Sequence, residues 1–263
     1  MIKANQTNSG SFLNKQIKIL GTQLSLYSSD ELLQIIEQTI VNHEKRLILS
    51  GNIHSYNLAY TQPWLQQFIN QADVVRLDGA GVRWGAHILG YQTPQRMTWA
   101  DFAWQLSEFS ELHNFSLFFL GGKPGVAERA GRQLKEHNPK LQIVGVKHGY
   151  FDKSTNSTEN NNTIRTINAL SPNILIVGLG MPLQERWLKE NWCHLDVNVA
   201  LTGGAVFDYI SGELQRGPKW MTDHNLEWLA RLVIEPRRLW KRYILGNPAF
   251  FARILMERLS SNR

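Results

Sequence analysis

The 263-residue chain is 43% hydrophobic and 19% charged, which suits one large or two small globular domains and gives disordered, low-complexity and collagenous readings no support. A single cysteine, Cys193, excludes an intrachain disulfide framework and a multi-cysteine metal site and suits a reducing compartment. The formal net charge of +6 is confined to the end of the chain: residues 214–263 hold ten Lys+Arg against four Asp+Glu, whereas residues 1–213 hold eighteen of each.

The opening stretch MIKANQTNSGSFLNK is polar and lacks the apolar core of a secretory signal. Apolar runs such as 117–120 and 174–177 fall far short of the roughly 20 residues of a membrane-spanning helix. Short β-rich runs then alternate with segments of helical spacing, the pattern of βαβ units and a parallel sheet. A helix is expected over 30–42, where Leu32, Leu33, Ile36 and Ile40 share one face, and another over 125–136. Strands are expected over 46–50, 73–77, 116–120, 142–146, 173–177 and 197–201. Each ends in a polar or glycine-rich turn: GNIHS, DGAG, GGKPG, HGYF, GLGMP and TGGA. Open α/β sheets bind ligands outside the carboxyl ends of their strands, so functional residues are expected in these six turns.

The polar run KSTNSTENNNT after Phe151 reads as a solvated insertion or the edge of a mobile lid. Beyond residue 213 the βα rhythm stops, and NLEWLARLVIEPRRLWKRY reads as two helical pieces joined at Pro236. The expected organisation is a Rossmann-like α/β core over 1–213, with a largely parallel sheet flanked by helices, and a helical appendage over 214–263. The appendage is both basic and aromatic, carrying Trp220, Trp228, Trp240 and Tyr243, which suits an anionic surface as partner.

Within the turns, Asp78 follows the apolar run DVVRL and precedes glycines, which fits a general base as well as an ordinary turn or cap residue. The turns at Gly121-Gly122 and Gly178-Leu179-Gly180 join strands to helices, where backbone N–H groups can hold phosphate or glycine can simply punctuate the chain. Neither matches G-x-G-x-x-G or a P-loop, which disfavours a nicotinamide or P-loop enzyme. Gln184 and Glu185 open a helix and point into the crevice or cover its outer surface. Arg96 suits a phosphate, or an ion pair with Asp101. Neither a histidine pair with metal-binding spacing nor a D-x-D pair occurs, so no metal and no cofactor are expected; a diphosphate would be met by arginines and helix N-termini.

Taken together, NIHSYN (52–57), ADVVRLDGAGV (72–82), LGGKPGVAE (120–128), GYF (149–151), VGLGMPLQE (177–185), GGAVFDYISG (203–212), RGPKW (216–220) and LEWLARLVIEPRRLWKRY (226–243) resemble the WecG/TagA/CpsF family of bacterial glycosyltransferases. The resemblance spans nearly the whole chain with order and spacing kept. It implies an inverting, metal-independent transfer from a UDP-sugar to a polyprenol-diphosphate-linked acceptor in cell-surface polysaccharide synthesis. The enzyme would be cytoplasmic and bound peripherally to the inner face of the membrane by its appendage. By position, Asp78 matches the catalytic base, Asn52 a pocket residue beside it, Arg96 a substrate- or phosphate-binding arginine and Gln184 the glutamine of P-x-Q-E. The resemblance extends the nucleotide-sugar site to Ser50, Gly121, Gly122, Gly149, Tyr150, Phe151, Gly178, Gly180, Glu185, Gly203, Gly204 and Asp208. Arg216, Arg231, Arg237, Arg238 and Arg242 match the appendage arginines, serving the diphosphate or the membrane.

Three positions depart from the family pattern. Ser50 replaces a threonine and keeps the hydroxyl, Gly217 replaces an alanine, and Trp99 replaces a glycine. The last places a large ring beside the expected sugar site and leaves the donor sugar open. A nucleic-acid-binding module using the basic tail and a Rossmann-type oxidoreductase are the competing readings. The sequence leaves homo-oligomer formation open.

Overall fold

The computed structural model of the chain describes residues 15–95 and 97–261. It begins with a hairpin of β1 (Gln16–Ile19) and β2 (Thr22–Ser25), turned at Leu20 and Gly21 with φ of 52° and 72°, the positive-φ geometry that suits a two-residue turn. These four-residue strands are too short and mixed in polarity to show an alternating pattern, and the sequence did not predict them. Helix α1 (Ser29–Val41) starts at a capping box: Ser28 Oγ accepts from Glu31 N, and the Glu31 carboxylate accepts from Ser28 N.

The βα alternation follows as β3 (Arg46–Gly51), α2 (Ile53–Thr61), α3 (Pro63–Gln71), β4 (Val74–Leu77), α4 (Ala80–Ile88), α5 (Trp99–Leu112), β5 (Ser116–Gly121), α6 (Val126–His137), β6 (Gln142–Lys147), α7 (Thr158–Leu170), β7 (Ile174–Gly178), α8 (Leu183–Asn191), β8 (Val199–Thr202) and α9 (Val206–Ile210). All six expected strands are present. Among the described residues the sheet runs in the order β1-β2-β4-β3-β8-β7-β5-β6, with all neighbours parallel except the β1–β2 hairpin.

Successive side chains of a strand face opposite ways, and this sheet uses both faces. Ile48, Val74, Leu117, Phe119, Ile174, Ile176, Val199 and Leu201 pack under α1, α5, α6 and α9. Leu47, Leu49, Val75, Phe118, Leu120, Leu175, Val177 and Ala200 pack under α3, α7 and α8. The chain leaves β5 towards β6 on one side and leaves the adjacent β7 towards β8 on the other, so a topological switch point lies between β5 and β7. There the strands approach so closely that a β-carbon on Gly121, whose φ is 146°, would fall 2.2 Å from the Gly178 carbonyl oxygen.

The stretch after Phe151 departs from expectation, because its TENNNT portion opens α7 instead of forming a solvated insertion. Ser157 caps the helix by accepting from Asn160 N. Thr158, Glu159, Asn161 and Asn162 stay exposed, while Asn160 faces inward because its amide is satisfied: it donates to Asn191 Oδ1 and accepts from Trp187 Nε1, with all three residues buried.

After residue 213 come α10 (Lys219–Asp223), α11 (Glu227–Ile234), α12 (Pro236–Trp240), a π-helical turn (Lys241–Leu245) and α13 (Gly246–Ser261). The break between α11 and α12 falls at Pro236, as its missing N–H requires. Helix α13 returns to the first strands: Phe250 and Ile254 are fully buried with Ile19, Leu24, Tyr56, Leu77 and Val82. The Glu257 carboxylate accepts from Leu20 N, and Arg253 donates to Asn57 Oδ1. Truncating Phe250 to alanine should therefore destabilise the protein by about 3–5 kcal/mol in denaturant unfolding, whereas Leu259→Ala, on the exposed side of the same helix, should stay within about 0.5 kcal/mol.

Candidate functional site

Strand register decides which residues share the site. Gly51 lies opposite Leu77, and Asp78 N donates to the Gly51 carbonyl at 2.9 Å, so Asn52 and Asp78 leave the sheet side by side. Asn52 is the N-cap of α2, its side-chain oxygen accepting from Ser55 N while Ser55 Oγ accepts from Asn52 N. Gly79, with φ of 88°, turns the chain sharply into α4 directly after Asp78. The Asp78 side chain is 21% exposed and lies at the cleft.

That cleft, about 2130 Å³, runs along the carboxyl ends of the strands and is closed on the far side by α11, α12, the π-helical turn and the start of α13. Its lining includes Ser50, Asn52, Asp78, Gly122, Gly149, Tyr150, Phe151, Gly178, Gly180, Gln184, Gly203, Gly204 and Asp208, together with Arg231, Arg238 and Arg242. Arg96 lies outside the described residues. Gly121 and Glu185 sit just behind the lining, Gly121 at the strand contact described above.

The glycine turns are tied to one another. Gly122 N donates to the Gly178 carbonyl and Gly149 N to the Gly122 carbonyl, so the ends of β5, β6 and β7 form one hydrogen-bonded floor. Tyr150 projects from it, 66% exposed, and the Phe151 ring is flanked by Lys147 and Lys153, with ammonium groups 5.4 and 4.5 Å from its centroid.

Gln184 and Glu185 are buried rather than lying on the outer helix surface. Gln184 Oε1 accepts from Gly204 N, and its Nε2 donates to Glu185 Oε1. The amide thus pins the turn after β8 to the start of α8. Burial pushes the Glu185 carboxyl up to about 7, against the lowering effect of the Gln184 amide; Oε2 is buried with no hydrogen-bond partner among the described residues.

The appendage arginines divide. Arg231 lies over the Tyr209 ring and 3.6 Å from Glu235, to which Arg238 is also bonded through both Nε and Nη2. Arg242 stacks on Tyr243, and burial lowers it from the ordinary arginine range. Burial, with the Arg242 charge added, lowers His54 to about 4, placing a neutral imidazole in the cleft wall. Arg216 faces away from the cleft and makes a two-pronged pair with Asp101, at 2.6 and 2.8 Å. Arg237 is exposed and outside the lining.

Sequence reasoning missed several groups that the fold brings here: His54, Lys123, Lys153, Tyr209 and Arg253 line the cleft, and Arg76 lies buried beneath Asp78. Arg76 had a visible signal, a charge inside the apolar run DVVRL. The others sit on helices or loops whose meeting no local pattern encodes. Trp99 lies in the cleft wall but is 5% exposed and turned inward, its Nε1 donating to the Thr202 carbonyl and Ser50 Oγ. Among the described residues no group of three or more His, Cys, Asp or Glu side chains is placed to hold a metal ion, and no helix is long and apolar enough to cross a membrane.

The sequence model of the glycosyl transferase WecG/TagA/CpsF family matches residues 17–263. Proteins named N-acetylglucosaminyldiphosphoundecaprenol N-acetyl-beta-D-mannosaminyltransferase from Staphylococcus aureus strains NCTC 8325 and COL are each 24% identical to the chain over 229 residues, covering 86% of both chains.

A carboxyl that is neutral when folded and ionised when unfolded links stability to pH. The Glu185 burial cost is absent below about 4.5 and grows until pH passes about 7, so stability is lost over that window. Glu185→Gln, which keeps an acceptor for Gln184, should raise stability by about 3 kcal/mol at pH 8 and change it little at pH 4.5, as read by denaturant unfolding at the two pH values.

Proposed function

This chain belongs to the WecG/TagA/CpsF family of glycosyl transferases, and from that membership we propose that it transfers a sugar from a UDP-sugar to a sugar carried on a polyprenol diphosphate. The transfer inverts the anomeric centre, needs no metal ion and serves the assembly of cell-surface or extracellular polysaccharide. The observation that carries this reading is the placement of Asp78, beside Asn52, on the floor of a cleft whose opposite wall holds Arg231, Arg238 and Arg242. Staphylococcal relatives whose names specify an undecaprenol-diphosphate-linked acceptor support the acceptor class.

In this mechanism the Asp78 carboxylate takes the proton of the acceptor hydroxyl as its oxygen bonds to the anomeric carbon of the donor. The bond from that carbon to the diphosphate breaks, and UDP leaves with the electron pair. Single displacement inverts the centre and needs no covalent enzyme intermediate. Cleft arginines offset the charge that grows on the departing diphosphate. Tyr150 and the lysine-flanked Phe151 supply aromatic surface for the nucleotide.

The outer side of the appendage accounts for the lipid. Trp220, Val233 and Trp240 are exposed and outside the cleft lining, beside the exposed Arg237, while the exposed Ile234, Ile244 and Leu245 lie at the cleft itself. Apolar side chains enter the headgroup region of a bilayer while nearby cations add roughly 1 kcal/mol each on anionic lipid. This sets the enzyme peripherally on the cytoplasmic face, with the cleft mouth near the lipid-linked substrate.

Three outcomes test the proposal. Asp78→Asn should retain UDP-sugar binding by calorimetry while turnover falls by about 10² to 10⁴; near-normal turnover removes Asp78 from the chemistry. Activity should persist in EDTA, and a loss restored by magnesium or manganese would show a metal requirement. The full chain should float with vesicles rich in phosphatidylglycerol, and Trp240→Glu with Val233→Glu should abolish flotation while leaving the unfolding midpoint unchanged.

A further inference from the structure

Arg76 occupies the interior of β4 and is 2% exposed, a position that a strand buried on both faces reserves for apolar residues. A buried guanidinium requires hydrogen bonds and a counter-charge. Its Nε donates to Ser50 Oγ at 3.2 Å and its Nη1 to the Met97 carbonyl at 3.1 Å. Nη2 is fully buried, has no hydrogen-bond partner among the described residues, and lies 3.6 Å from Asp78 Oδ2. The Trp99 ring covers the guanidinium at 4.7 Å, with Phe102 behind it at 5.8 Å. Hydrogen bonds from Trp99 Nε1 to the Thr202 carbonyl and Ser50 Oγ hold that cover in place. Trp99, which departs from the family's glycine, and Arg76 therefore form one buried unit beneath the floor.

We propose that Arg76 is a positioning residue for the transfer: from below the cleft floor its charge directs the Asp78 carboxylate and opposes the repulsion of the diphosphates of donor and acceptor as they enter. The inference rests on the assignment of Asp78 as the base. Incoming anions disfavour a neighbouring carboxylate's ionised form, whereas a cation within about 4–6 Å favours it. The other groups facing Asp78 are Arg242 from the π-helical turn and Tyr209 from α9, both of which feel its charge. These two line the cleft. Arg76 approaches from behind, under an indole and outside the cleft lining.

The test uses the full-length enzyme with a lipid-linked acceptor and compares pH profiles of kcat. Arg76→Met should lower kcat at neutral pH by about tenfold or more, leave the donor KM within about threefold, and move the acidic limb up by about one pH unit or more. Arg76→Lys should return the limb towards its original position through its charge, with only part of kcat recovered because the planar fork is lost. In the Asp78→Asn background, Arg76→Met should cost no further turnover, since a positioning residue acts through the group it positions. Thermal unfolding and UDP-sugar binding establish that each variant is folded. Should Arg76→Met fail to fold, Arg76→Gln, which keeps donors for Ser50 and Met97 without the charge, is read in its place. An unmoved acidic limb in a folded neutral variant, with Asp78→Asn inactive, overturns the role of Arg76 alone. High turnover in Asp78→Asn overturns the base assignment beneath it.

Discussion

Burial of the parallel sheet on both faces is the constraint from which the rest follows. β3, β4, β5, β7 and β8 carry apolar side chains into helices above and below, so a polar group within them needs partners of its own. Chemistry is thereby confined to the turns at the carboxyl ends, where six strands deliver their next residues to one edge. The switch point between β5 and β7 opens that edge, and backbone bonds among Gly122, Gly149 and Gly178 knit the turns into a floor. Arg76 is the instructive exception: it breaks the apolar rule inside β4 directly below Asp78, with Ser50, Met97 and Trp99 arranged around it.

The C-terminal segment is tied into this scheme at both ends of its path. Helices α11 and α12 form a cleft wall, while α13 runs back to the β1–β2 hairpin and shares a core with it through Phe250 and Ile254. Gly85 permits that packing, since a β-carbon there would fall 2.8 Å from the Phe250 ring. The wall carrying Arg231, Arg238 and Arg242 is thus followed by a helix anchored through apolar burial, and it places cations opposite the carboxylate.

Much of this was legible because the signals are local. Parallel strands buried on both faces read as short apolar runs, their turns carry glycines, and Pro236 interrupts a helical pattern, so the α/β class, the six strands and the helix break all follow from the sequence. The position of Asp78 and of the glycine turns at the strand ends was legible for the same reason, whereas Asn52 was named through the family resemblance. The β1–β2 hairpin was not, because four residues of mixed polarity carry no period. Helix α7 was misread because its one buried asparagine, Asn160, pairs with Asn191 and Trp187, partners about 30 residues away in sequence. The inward turn of Trp99 likewise depends on the Thr202 carbonyl, and the influence of the Arg242 charge on His54 depends on the return of the tail.

The chemistry proposed for this chain is a single displacement at the anomeric carbon with Asp78 as base. The most direct measurement is the anomeric configuration of the transferred sugar, read by NMR coupling on product made by the purified enzyme from a UDP-sugar and a polyprenol-diphosphate-linked acceptor. Single displacement predicts a linkage opposite in configuration to the donor. A product that retains the donor's configuration would require a second displacement or an internal return, and would contradict the role given to Asp78.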